Sequence, residues 1–378
     1  MRIGVFTYSL GDITSGQARF ARSLSVGLQR QGAQVEVVSV WANPSAVVNL
    51  KTQALNVTSL KVGIPSRSRH EYDLMFPERM LKQLVKGAGS SVLRWADWIV
   101  VLSDELASLA WILPNGGPRK AFICNGDFML LFMDQSFYSD RAWIKTAMSS
   151  IAAARIRRHS RDVSKYDLLL ANSEFTRNFM SYIYGTHFQG VCYPPVDLDL
   201  FKPRGPKTEP RFALSVMRNN REQGLGVLEQ LADKVPVKII GGARVRGAEA
   251  VGRVSDQELA ELYSQATIVV APVISEFFGY IVAESMAAGT PVIARNICGP
   301  GELVRNLENG WLARDSQDLI RLASGYVRSG YRSDISLRLV ESAQRFGQDV
   351  IAKELLTRLE DEGTKSAILG DPNPLSAR

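Results

Sequence analysis

Short apolar runs alternate along this chain with longer stretches whose apolar residues recur at helical spacing. The runs at 2–7, 34–40, 98–102, 120–124, 168–171 and 190–193 read as strands, and most lack the polar alternation of a sheet with one face in water. Strands covered on both faces by helices have this character, so a parallel sheet is expected. Helices are expected over about 17–31 and 174–184, whereas 44–92 is too weakly periodic to assign. The proline-rich segment 193–203, YPPVDLDLFKP, ends the series. A second series follows, with strands near 211–216, 237–241, 266–271 and 291–294 and helices near 226–234, 256–265 and 280–288. The fold class expected is α/β, with two doubly wound Rossmann-like domains joined at 193–203. Helical periodicity continues over 316–327, 334–345 and 348–361, and the tail from 363 to 378, lacking it, is expected to be disordered.

The stretch 275–304, SEFFGYIVAESMAAGTPVIARNICGPGELV, carries the chemistry. Glu276 is expected in the loop after the strand 266–271, and Glu284 one or two turns into the next helix. Parallel sheets bind ligands beyond the carboxyl ends of their strands, and a helix amino terminus offers unpaired N–H groups to phosphate. The amides of Phe278, Gly279 and Tyr280 suit a diphosphate, and Gly279 lets it approach because it has no side chain. Glu284 can accept hydrogen bonds from both hydroxyls of a ribose, and Glu276 from those of a sugar. A nucleotide-sugar fits these groups.

The same stretch resembles the E-x7-E signature of retaining glycosyltransferases of the GT-B fold, particularly glycosyltransferase family 4. The likeness runs through E-x-F-G, then E-x-M-A-x-G-x-P-V-I-A, and reaches G-x-x-E at Gly299 and Glu302. The segment 193–203 is also similar to the family's Pro-Pro-Val-Asp linker. The resemblance implies an acceptor domain at 1–195, a nucleotide-sugar donor domain at 204–347, and a final helix, about 348–362, that crosses back to the first domain.

Further positions follow from the resemblance. Arg218 stands where family 4 members carry the first cation of an R-x4-K-G pair on the departing diphosphate, while the lysine position is Gln223. Arg221 or a metal could compensate for that lost charge. Gly16 is the one survivor of a glycine pair that approaches the diphosphate, and Arg253 lies where relatives contact the nucleobase. Asp127 matches the aspartate of a His-Asp pair near the reacting sugar, with Gly126 at the histidine position. A front-face route tolerates that loss, because the donor phosphate oxygen can itself take the acceptor proton.

Length and composition fit this picture: 378 residues suit two domains, and 46% hydrophobic with 22% charged residues describes a protein with ample core. Cys124, Cys192 and Cys298 match no metal spacing and read as reduced core residues, which suits the cytoplasm. No signal peptide or membrane span is expected, and no cofactor or metal is expected. Residues 1–205 carry a net +8 and the remainder −1. Much of the surplus lies at 141–165, with Arg155, Arg157, Arg158 and Arg161, either a basic amphipathic helix that rests on the inner face of a membrane or one that covers the core. No module for nucleic acid accompanies it.

The function expected is retaining transfer of a hexose from a UDP- or GDP-linked sugar to a hydroxyl of a saccharide, lipid-linked or small-molecule acceptor. A disaccharide phosphorylase of the same fold and a non-catalytic nucleotide-sugar-binding subunit are the alternatives.

Overall fold

A computed structural model describes residues 1–11, 16–63, 73, 76–113, 116–126, 158, 160–205, 211–217, 224–330 and 335–369. The first sheet comprises β1 (Arg2–Leu10), β2 (Gln34–Ala42), β3 (Asn56–Val62), β4 (Trp98–Val101), β5 (Arg119–Cys124), β6 (Leu168–Ala171) and β7 (Gly190–Val191). Their spatial order is β3-β2-β1-β4-β5-β6-β7. The second sheet comprises β8 (Ala213–Met217), β9 (Val237–Gly241), β10 (Glu249–Gly252), β11 (Ile268–Ala271), β12 (Val292–Arg295) and β13 (Trp311–Ala313), ordered β10-β9-β8-β11-β12-β13. Neighbours in both sheets run parallel. In each sheet the order reverses beside the first strand of its series, at β1/β4 and at β8/β11, and such reversals open a crevice at the carboxyl ends.

Apolar clusters cover both faces of each sheet, as the unbroken runs require. The final helix, Gln348–Leu369, returns to the first domain: Ile351, Ala352, Leu355 and Leu359 join the cluster beneath the helix Gly16–Arg30. The two helices touch at Gly27, where an added Cβ would stand 2.5 Å from the Gln348 carbonyl oxygen.

This helix runs on to Leu369 instead of ending near 361. A lone helical glycine costs only about 1 kcal/mol. Gly363 therefore does not stop the helix, and the Thr364 hydroxyl donates to the Glu360 carbonyl across it. The edge strands β3, β10 and β13 escaped the sequence reading for other reasons: β3 and β10, paired on one side and partly exposed, carry few apolar residues, and β13 is only three residues long. The helix Pro44–Thr52 buries only Leu50 and showed equally little pattern.

The segment 193–203 is held against the second domain. The Val196 amide donates to the Phe346 carbonyl at 2.7 Å, Asp197 accepts from the amides of Asp199 and Leu200, and Phe201 is buried against Tyr263.

Candidate functional site

After β11 the chain enters the loop that carries Glu276, and Gly279 then opens the helix Tyr280–Ala287. Gly279 has φ +102, a left-handed conformation that ordinary side chains resist, which explains glycine at this turn. Its carbonyl accepts from the amides of Val282 and Ala283, so the first-turn amides lie ahead of the intrahelical ladder. Gly16 begins the first helix of the other domain, and a Cβ on it would lie 3.6 Å from the Tyr280 ring. Two of the residues singled out for diphosphate contact thus face each other across the domain boundary.

Adjacent phenylalanines divide their allegiance here. Phe277 packs into the first domain's core, with its ring 5.8 Å from that of Phe175. Phe278 packs into the second domain's core against Tyr193, Tyr280 and Phe346. Gly126 is part of the same contact: its φ is +78, and a Cβ there would meet the Phe277 ring at 2.8 Å. Any side chain at that position would collide with Phe277 in this arrangement.

Glu284 is 1% exposed and forms an ion pair with Arg19, itself 8% exposed, on the first helix. Arg19 also reaches Asp256 at 3.3 Å, and Arg22 reaches Asp256 at 2.6 Å. Burial lifts the Glu284 carboxyl above its ordinary value, with Arg19 opposing it. Burial taken alone would weaken the hold of Arg19 on its proton, but the attraction of Glu284 and Asp256 outweighs it and Arg19 stays charged. The guanidinium lies 5.7 Å from the Tyr280 ring centre and 5.8 Å from that of Phe201. It fills the space beside the carboxylate assigned to the ribose.

Glu276 has a different setting. It is half-buried, and its backbone carbonyl accepts from the Gly299 amide at 3.0 Å. Gly299 packs so closely that a Cβ would stand 2.3 Å from the Phe278 oxygen and 2.4 Å from that of Phe277. Cys298, expected in the core, instead lies half-exposed beside this loop; burial first and the Glu276 charge second raise its thiol. Cys124 and Cys192 are buried, and none of the three is in a disulfide.

Glu302, in the helix Cys298–Leu303, crosses to the first domain. Its carboxylate accepts from the amides of Glu174 and Phe175 at 3.0 and 2.8 Å, at the start of the helix Glu174–Tyr184. The Tyr193 phenol beside it is pushed up to about 12 by burial and by the Glu302 charge.

On the first domain's wall, Gln17 donates to Ser103 at 2.7 Å and to Glu105 at 3.3 Å, beyond the ends of β1 and β4. Arg253 is exposed after β10, two residues ahead of Ser255, which caps the helix Asp256–Gln265. Asp127, Arg218 and Gln223 lie outside the described residues, as do His70, His159 and most of the basic stretch 141–165. Among the described residues, no helix is long and apolar enough to cross a membrane and no cluster of metal ligands occurs.

The sequence reading missed Arg19, Asp256 and the cross-domain reach of Glu302. An arginine one turn into a helix carries no signal of its own. The lone cue was the acidic start of the helix at Asp256, which looks like an ordinary dipole-favoured residue.

Residues 246–326 match the family Glycosyl transferases group 1. A D-inositol 3-phosphate glycosyltransferase of Nocardioides sp. is 25% identical over 256 residues, 54% of this chain and 56% of that protein. An uncharacterised glycosyltransferase of Methanocaldococcus jannaschii is 34% identical over 108 residues, 28% of each chain. The matched regions thus span at most about half the length of these curated relatives. Among solved structures, sucrose-phosphate synthase from Thermosynechococcus elongatus superposes with a TM-score of 0.70 at 16% identity, over 97% of this chain and 100% of the other. The Anabaena protein HepE in complex with UDP gives 0.68, also at 16% identity, over 96% and 100%. The second domain thus carries the sequence of the group 1 glycosyltransferases over residues 246–326, and the chain as a whole has the GT-B fold.

Proposed function

We propose that this protein is a retaining hexosyltransferase that uses a nucleoside diphosphate sugar, UDP- or GDP-linked, and transfers to a hydroxyl of a saccharide, lipid-linked or small-molecule acceptor. The observation that carries the reading is the placement of two unlike carboxylates, buried Glu284 and half-buried Glu276, around the amino terminus of the helix Tyr280–Ala287 at the domain boundary.

In this reading Glu284 takes the ribose hydroxyls, the amides of Phe278 to Tyr280 and Arg218 take the diphosphate, and Glu276 orients the sugar. Arg253 and its neighbours face the base, Gly16 closes over the diphosphate, Asp127 acts near the reacting sugar, and the first domain takes the acceptor. The bond from the sugar's anomeric carbon to the diphosphate breaks with its electron pair on the phosphate oxygen. The acceptor oxygen bonds to that carbon on the same face, and its proton passes to the departing phosphate. Charge on the diphosphate is met by fixed amides and arginine without need of a metal.

Glu284 already holds Arg19. A donor must therefore replace Arg19 at that carboxylate, and opening about 193–203 supplies the movement. The reading places the protein in the cytoplasm, where nucleotide-sugars are made, with room for peripheral membrane contact through the basic first domain.

Purified protein incubated with UDP- and GDP-hexoses and a panel of acceptors tests the reading. Release of the nucleotide should require an acceptor, NMR should show the donor's anomeric configuration in the product, and Glu276→Ala should abolish transfer while remaining folded. Transfer that depends on free phosphate would indicate a phosphorylase, and turnover unchanged in Glu276→Ala would refute the assignment.

A further inference from the structure

We infer that Glu302 is a positioning residue: by clasping the start of the helix Glu174–Tyr184 in the first domain, it sets the loop that holds Glu276 in the second. The inference rests on the reading of Glu276 as the sugar-facing carboxylate, but the contact network stands apart from that reading.

The network has two links. The first is the carboxylate itself, which accepts from two successive amides, Glu174 at 3.0 Å and Phe175 at 2.8 Å. These amides belong to the first turn of the helix Glu174–Tyr184 and have no partner within it, and a negative charge is favoured at that end. Within the helix, Ser173 accepts from the Thr176 amide at 3.0 Å, so the helix carries its own local cap and the Glu302 clasp is an addition from another domain. Tyr193, in the interdomain segment, lies close enough to feel the charge of the same carboxylate, which places the clasp beside the hinge.

The second link is short and stiff. Gly299 stands three residues before Glu302 in the helix Cys298–Leu303, and its amide donates to the Glu276 carbonyl at 3.0 Å. The approach leaves no room for a side chain, since a Cβ on Gly299 would come within 2.3 Å of backbone oxygen. A shift of this helix must therefore carry the Glu276–Phe278 backbone with it. Phe277 completes the circuit on the first domain, against Phe175, whose amide Glu302 holds. Clasp and loop thus meet at one patch of the first domain, and domain closure and the setting of Glu276 become one event.

Hydrogen exchange on the full chain tests this without any ligand, in wild type, Glu302→Ala and Glu302→Gln. Glu302→Ala should speed exchange at least tenfold at residues 174–176 and also in the peptide spanning 275–280, while β11 and β12 keep wild-type protection. Glu302→Gln, which keeps an acceptor oxygen but not the charge, should fall between. If faster exchange stops at 174–178 and the 275–280 peptide keeps wild-type rates, Glu302 is only a local cap and the inference is wrong. With transfer established, the same variants should lose kcat while the affinity for UDP or GDP stays within twofold of wild type. A loss confined to affinity would overturn the positioning role. Exchange coupling found in a protein that transfers no sugar would leave the clasp standing and refute the functional reading alone.

Discussion

Glu276 and Glu284 belong to one short stretch yet occupy opposite environments. Glu284 projects from a helix into the packed boundary between domains, where Arg19, Tyr263 and nearby Asp256 surround it. Glu276 stands on a loop held by backbone contacts, with its side chain half in water. The difference separates two tasks. A buried carboxylate already matched to a cation can exchange one hydrogen-bonded partner for another, so it suits binding and coupling to domain movement. A half-exposed carboxylate on an anchored loop is within reach of a ligand in the crevice and suits orienting a sugar. The contrast also predicts different costs: loss of Glu276 should cost chemistry, and disturbance around Glu284 should cost stability.

The sharpest way to break that contrast is Glu276→Ala. Its kcat should fall by about 10³, on the scale of a lost transition-state hydrogen bond, with thermal unfolding little changed. A large drop in melting temperature would show that Glu276 is structural and erase the distinction.

Next in size is Arg19→Gln, which strands Glu284 in a buried site. Removal of one partner of a buried ion pair costs about 3–5 kcal/mol, measurable by urea unfolding. The cost should depend on pH in a definite sense. Burial raises the folded-state value of Glu284 above that of the unfolded chain, and without Arg19 the rise is larger. Stability tied to protonated Glu284 is then fully present below the unfolded value and lost as pH rises through the folded one, so the variant should suffer less near about pH 5 than near about pH 8. A cost independent of pH would mean that Glu284 does not feel the loss. Under the proposal that Glu284 takes the ribose, Arg19 competes with it, and the same variant should bind UDP or GDP more tightly than wild type per folded molecule.

Gly299→Ala should have a smaller effect, about 1–3 kcal/mol, because its Cβ must push the loop backbone aside. It should also reduce turnover by displacing Glu276. Wild-type stability and turnover would show that the loop yields easily. The smallest effect expected is from Gln223→Lys: a second cation on the departing diphosphate should raise kcat by about tenfold, equivalent to about 1.4 kcal/mol. No change would indicate that Arg218 and the amides suffice.

The paired α/β domains were legible because parallel strands are covered on both faces and so appear as unbroken apolar runs, as at β4, β6 and β11. Gly279 was legible too, since a strand-to-helix turn of this kind asks for glycine. The cross-domain contacts were not. Arg19 and Glu284 are 265 positions apart, Glu174 and Glu302 128, and no local spacing records such pairs. Phe277 and Phe278 look identical in sequence, and only the fold assigns one to each core. Nor does the sequence record that Gly126 packs against Phe277.

The most direct test of the central claim is a thermal titration of wild type and Glu284→Gln with UDP and GDP, because a ligand selective for the folded state raises its stability with concentration. The account predicts that one nucleotide stabilises wild type in a dose-dependent way and that Glu284→Gln, still folded, loses most of that shift. Equal shifts in both proteins, or none in wild type with either nucleotide, would contradict it.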